Sequence, residues 1–161
     1  MRKPRVLLEC ARYHISARAN RGEMIMADWG AKALFLEVVA RAKEKYDFRI
    51  ENFCVMENHF HFILQPGKGV SLSRIMQWIL SVFAMAWNRL HGLKGHVWGE
   101  RFFSKIIETA VQYFQVFRYI DENPVRAQLV ERPEDWPFGG PAFRRSGKGT
   151  FLDDVPADLA L

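Results

Sequence analysis

Glu57-Asn58-His59-Phe60-His61-Phe62-Ile63-Leu64 sets two imidazoles one residue apart in a run of strand-forming residues. Successive side chains of a strand face opposite ways, so His59 and His61 share one face while Phe60, Phe62 and Leu64 share the other. This predicts a strand with a core side and a polar side. Immediately upstream, Phe48 to Met56 reads as a second strand, with Glu57-Asn58 as the turn of a hairpin and Pro66-Gly67-Lys68-Gly69 as its stop.

Working outward, Val6 to Ala19 predicts a strand with Tyr13 and Ile15 on one side and Arg12, His14 and Ser16 on the other. His14 reads as a structural polar residue that could share a face with the histidine pair. Asp28 offers an N-cap to a helix whose apolar stripe is Ala31, Leu34, Phe35, Val38, Val39, Ala42 and Tyr46. A longer helix is expected from Ser71 to Leu90, and a further strand within Val97 to Ile107, interrupted at Gly99-Glu100-Arg101. Strand, helix, strand, strand, helix, strand is the split βαβ order of a ferredoxin-like α+β domain with an antiparallel sheet. Many functions use that topology, so it assigns none.

A third helix is predicted from Glu108 to Asn123 and stopped by Pro124. Its core stripe is Tyr113, Val116, Phe117 and Ile120, and its wet side carries Gln112, Gln115, Tyr119, Glu122 and Asn123. Tyr113 reads as packing, whereas Tyr119 stands among polar groups with Asn123 one turn further along. We expect one domain over residues 1–140 and a flexible, loosely held tail over 141–161, in which Arg144, Arg145 and Lys148 are candidate nucleic-acid contacts.

The 161 residues are 49% hydrophobic and 14% aromatic, which excludes a disordered chain. No apolar run reaches the roughly 20 residues that span a bilayer, and nothing after Met1 resembles a secretion signal, so a cytoplasmic protein without membrane association is expected. Cys10 and Cys54 lack metal-type spacing and read as buried reduced thiols. The net charge of +5 is concentrated at the start, where residues 1–21 hold six Arg or Lys against the single acid Glu9. Such a segment suits a polyanion. Arg12, Arg18 and Arg21, with Arg101 and Lys105 further on, are the candidate DNA contacts.

Two neutral imidazoles form a bidentate arm for a divalent cation, and Asn123 supplies a third, oxygen-type ligand. A mixed nitrogen and oxygen site with open positions suits Mg2+ or Mn2+ and does not exclude zinc. A cation there would polarise a scissile phosphate, and Tyr119 would attack it as nucleophile to form a covalent phosphotyrosine.

Four blocks carry a resemblance to a known family. They are Arg12-Tyr13-His14-Ile15 with Arg21-Gly22, Met56-Glu57-Asn58-His59-Phe60-His61, Gly95-His96-Val97-Trp98 with Arg101-Phe102, and Arg118-Tyr119-Ile120-Asp121-Glu122-Asn123-Pro124-Val125-Arg126-Ala127. In this order, over roughly residues 5 to 140, they resemble the REP-associated tyrosine transposases, single-tyrosine HUH endonucleases related to insertion-sequence transposases. The resemblance implies that His59, His61 and Asn123 bind the metal and that Tyr119 becomes linked to the 5′ phosphate of cleaved single-stranded DNA. It further implies a hairpin substrate, a palindromic repeat, held in part by the basic segment, and a monomer or a homodimer. Many relatives have proline where this chain has Glu57, whose carboxylate would either enter the metal's outer shell or face solvent.

The alternative is a domesticated relative that binds hairpin DNA without turnover. An RNA-recognition sheet is disfavoured because Phe60 and Phe62 face away from the histidines. A histidine-triad hydrolase would need a histidine where the chain has Ile63.

Overall fold

The structure, a computed structural model, describes residues 3–147 and 151–159. Four strands, β1 (Arg12–Arg18), β2 (Phe48–Val55), β3 (His59–Pro66) and β4 (Phe103–Ile107), form one antiparallel sheet in the order β2-β3-β1-β4. With α1 (Trp29–Lys45) and α2 (Leu72–His91) in the connections, this is the expected ferredoxin-like arrangement. The first strand is shorter than predicted: Val6, Leu7 and Leu8 are exposed, and Cys10 has a left-handed φ of 56° that breaks the extended chain before Arg12, which leaves its thiol exposed rather than buried as expected, whereas Cys54 is buried. The last strand is shorter too. It begins at Phe103, and Trp98 reaches the sheet only through an isolated bridge to Ala19.

Alternation places Tyr13, Ile15 and Ala17 of β1 against Phe60, Phe62 and Leu64 of β3 on one face. That face is covered by α1 and α2, with the Phe35 ring 4.6 Å from Phe60 and 5.5 Å from Phe83. Asp28 caps α1 as predicted, its Oδ1 accepting from the Ala31 amide at 2.6 Å, and Ser71 caps α2. No helix among the described residues is long and apolar enough to cross a membrane.

The opposite face is covered by α3 (Ala110–Arg126), which packs Tyr113 and Ile120 onto Cys54, Met56 and Ile63. Thr109 caps its start, accepting from the Gln112 amide at 3.1 Å. The helix does not stop at Pro124, which lies inside it. A proline in a helix costs the hydrogen bond to the carbonyl four residues back, here that of Ile120, but the chain carries one more residue pair, to Arg126, before Ala127.

A bulge in β2 decides what meets α3. Ile50 pairs with Leu64 and Asn52 with Ile63, leaving Glu51 as the extra residue. Strict alternation would put Asn52 beside Ile50 in the apolar layer; the bulge turns it to the α3 face. There its Nδ2 donates to the Phe117 carbonyl at 3.1 Å and to Asp121 Oδ1 at 2.8 Å.

Parts of the segment expected as a flexible tail are held against the domain. Helix α4 (Gly140–Ser146) brings Arg144 to Asp121, and Phe151 is buried against Phe53 and Phe143. Asp153 pairs with Lys43 and accepts from the Ile50 amide at 2.8 Å, closing part of the open edge of β2. Of the tail cations, Arg144 is therefore engaged within the fold, Arg145 is exposed, and Lys148 lies outside the described residues.

Candidate active site

Register, rather than sequence proximity, assembles the site. Across β3 and β1, His61 faces Ser16, His59 faces Arg18, and His14 stands beside Ile63, so all six side chains project to the α3 face. His59 and His61 lie with ring centroids 5.2 Å apart and planes nearly perpendicular. His14 Nε2 is 3.0 Å from His61 Nδ1, which makes His14 a direct neighbour of the pair rather than a detached structural residue. On α3, the Tyr119 ring lies 5.4 Å from His61 and 6.0 Å from His14, edge-on to both.

Asn123 departs from its expected place. It is 9% exposed, on the sheet side of α3, and its carboxamide hydrogen-bonds His59. Tyr119 is 42% exposed, at the border between the packed and wet faces. The apolar stripe of α3 is thus interrupted by a polar side chain just where the helix passes the histidines. Tyr113 is buried as packing, as expected, with a hydroxyl that has no partner and a phenol that burial pushes well above its usual range.

The electrostatics keep the imidazoles neutral. Burial first, then the neighbouring His14, His59, Arg126 and Arg18, brings His61 down to about 3. Burial and Lys105 bring His14 down to about 4. His59 is lowered by burial and Arg18, partly opposed by Asn123. A neutral imidazole keeps one nitrogen lone pair for a cation, and its other nitrogen selects which. For His59 the selection is visible: Nδ1 is 2.8 Å from Asn58 Oδ1, while Asn58 Nδ2 donates to the Gly22 carbonyl at 3.2 Å. Nδ1 therefore carries the proton and Nε2 the lone pair. His61 Nδ1 is engaged by His14, and Nε2 is the ring nitrogen directed away from that contact.

These donors fit a divalent cation as two imidazole nitrogens plus an amide oxygen. No group of three or more His, Cys, Asp or Glu among the described residues has metal-binding geometry, and Asn123 is the amide beside the two imidazoles that could add a third protein ligand. Glu57 contributes elsewhere: its carboxylate acts on Lys32 of α1.

The expected DNA contacts divide. Arg18 and Lys105 are exposed on the histidine face, and Arg21 is exposed in the turn after β1, with a left-handed φ of 55°. Arg101 and Lys105 line an open groove of about 660 Å³ beside the N-terminal segment, where Arg5 stacks on Phe102. Arg12 is different. Its Nε donates to the buried Glu51 carboxylate at 2.7 Å, because the bulge leaves that acid inside and in need of a counter-charge. Sequence reasoning passed over Arg126, whose guanidinium lies 4.2 Å from the Tyr119 ring centroid; its place seven residues, two helical turns, after Tyr119 was the available signal.

No curated protein sequence matches this chain. Several solved structures resemble it, among them two transposases. A REP-associated tyrosine transposase bound to a REP hairpin superposes with a TM-score of 0.76 at 22% identity, covering 100% of this chain and 94% of that one. A putative transposase from Deinococcus radiodurans gives 0.50 at 14% identity, covering 76% of this chain and 97% of that one. The family model described as transposase, IS200-like, matches residues 8–123, from the segment before β1 through the Tyr119–Asn123 turn of α3. The chain belongs to the IS200-like transposase family, HUH-type enzymes that cleave single strands of DNA.

Proposed function

We propose that this transposase cuts and transfers single-stranded DNA next to a hairpin, with Tyr119 as nucleophile and His59, His61 and Asn123 as the ligands of a divalent metal, Mg2+ or Mn2+. The observation that carries the reading is the 5.4 Å approach of the Tyr119 ring to His61 within one chain. Tyr119 and the histidines come from the same copy, which supports a monomer acting alone over a homodimer that exchanges its tyrosine helices. The hairpin substrate is supported by the full-length fold likeness to a protein seen bound to a REP hairpin.

The chemistry is a transesterification. The Tyr119 phenol loses its proton and its oxygen bonds the scissile phosphorus; the bond from phosphorus to the 3′ oxygen breaks, and that oxygen takes up a proton. The products are a 5′-phosphotyrosyl strand and a free 3′ hydroxyl. The phosphotyrosyl bond keeps the energy of the cut linkage, so a second 3′ hydroxyl can reverse the exchange without ATP. A bound divalent ion supplies Lewis acidity at the phosphate oxygens. His59 would offer its Nε2 lone pair, its tautomer set by Asn58, and His61 a ring nitrogen, its ring oriented by the contact with His14. Arg18 and Lys105 add positive charge along the same face.

Labelled hairpin DNA with a single-stranded flank tests this. The wild type should form a denaturant-resistant adduct, lost in Tyr119→Phe and kept in Tyr113→Phe. Hairpin binding with no adduct under any divalent ion would instead mark a binder without turnover.

A further inference from the structure

We infer that Arg126 binds the scissile phosphate, so that the nucleophilic helix carries both the attacking phenol and a cation for the phosphate it attacks. The inference rests on the nucleophilic reading of Tyr119 and adds to it a contact that no part of that reading requires.

Side chains on a helix lean toward its N-terminus, so a long side chain seven residues on folds back over the earlier residue. Arg126 does so. Its Nη2 donates to the Tyr119 carbonyl at 2.8 Å, and its guanidinium carbon sits 4.2 Å from the Tyr119 ring centroid. A guanidinium over a ring keeps the in-plane N–H donors it does not already use for another partner, and a guanidinium binds phosphate oxygens well.

Arg126 is only loosely paired. Glu122 is its acidic neighbour, but Oε1 of that residue is taken by Arg118 Nε at 2.7 Å, while Oε2 stands 4.0 Å from Arg126 Nη1. Half of the Arg126 side chain is open, at 47% exposure. Its charge also reaches the histidines, being one of the causes that lower His61. A phosphate placed for attack by Tyr119 and for contact with a cation at His61 therefore lies beside a stacked, partly open guanidinium. Charge grows on the phosphate oxygens as the phosphorus becomes five-coordinate, and a donor placed there stabilises that state more than the ground state.

The test uses the full chain and hairpin DNA carrying either the normal phosphodiester or a neutral methylphosphonate at the scissile position. In a Tyr119→Phe background, which binds without cutting, the neutral linkage should weaken binding about tenfold, and adding Arg126→Met should remove most of that difference. With Tyr119 present, Arg126→Met should slow adduct formation about 30-fold on the phosphodiester. Arg126→Lys, which keeps the charge without the planar fork, should fall between, and serves if the Met variant fails to fold. Equal sensitivity to the methylphosphonate with and without Arg126 would overturn the inference, leaving that residue as packing for the Tyr119 ring. No adduct in the wild type would instead remove the nucleophilic reading itself, an outcome distinct from an adduct that forms equally fast without Arg126.

Discussion

Arg144→Ala is the most informative single change, because it removes the clasp between α4, β2 and the helix that carries Tyr119. Arg144 donates to both Asp121 oxygens at 3.1 and 3.0 Å and to Asn52 Oδ1 at 3.1 Å, and lies 4.8 Å from the Phe117 ring centroid. Breaking a fully buried pair costs about 3–5 kcal/mol and an exposed one about 0–1. With side chains 35% and 20% exposed, this pair lies between, at about 2–3 kcal/mol. For a chain of this size that lowers Tm by about 5–10 °C. The pH dependence identifies the cause. Burial raises the Asp121 carboxyl above its usual 3.8, opposed by Arg144 and Asn52. A raised carboxyl favours the folded state when protonated and loses that advantage as pH rises through its folded value. Without Arg144 the carboxyl rises further, so the deficit of the variant is largest at neutral pH and shrinks as pH falls toward the usual aspartate range. Urea unfolding of wild type and Arg144→Ala at pH 7.5 and about pH 5 measures this difference, with Arg144→Ala/Asp121→Asn as the control expected to recover part of the loss. A deficit independent of pH, unrelieved in the double variant, would show that Arg144 acts through Phe117 packing and not through the carboxylate.

Gly140→Ala should break the same clasp from the other side: a Cβ there would sit 2.0 Å from Asn52 Oδ1, costing about 1–3 kcal/mol by thermal melt, and a neutral result would show that α4 yields freely. His59→Ala and His61→Ala should each reduce cleavage at least about 100-fold while hairpin binding persists in a filter assay; parallel loss of binding would mean that the imidazoles hold the fold. EDTA should stop adduct formation, and Mn2+ or Mg2+ should restore it in a gel assay. In EDTA the metal-free protein should lose stability as pH falls below about 6.5, since His61 and His14 are held neutral down to about 3 and about 4 and the unfolded chain takes up their protons first. Denaturant midpoints rising with acid would contradict this.

Much of the architecture was legible locally. Alternation in residues 59–64 placed His59 and His61 together and Phe60 and Phe62 away from them, and the cap Asp28 marked its helix because capping is a short-range hydrogen bond. The spacing of Tyr119 and Asn123 also held, since one helical turn is a local distance. Their burial did not follow. A single apolar stripe predicts Asn123 in water, yet it is buried because α3 packs on polar imidazoles at that turn. Arg12 read as a DNA contact from the charge of its neighbours, but one extra residue in β2 buried Glu51 beside it.

The amino-acid order by itself determined the elements, their sequence and the two histidines on one strand face, because these depend on backbone periods of two and about 3.6 residues. Only the tertiary structure decided that His14 touches His61, that Asn52 reaches Asp121 and Arg144, and that α3 lies over the histidines rather than over α1 and α2. Those outcomes depend on strand register and on the bulge at Glu51, where a shift of one residue exchanges the faces of a strand, and register is set by contacts between segments far apart in the chain.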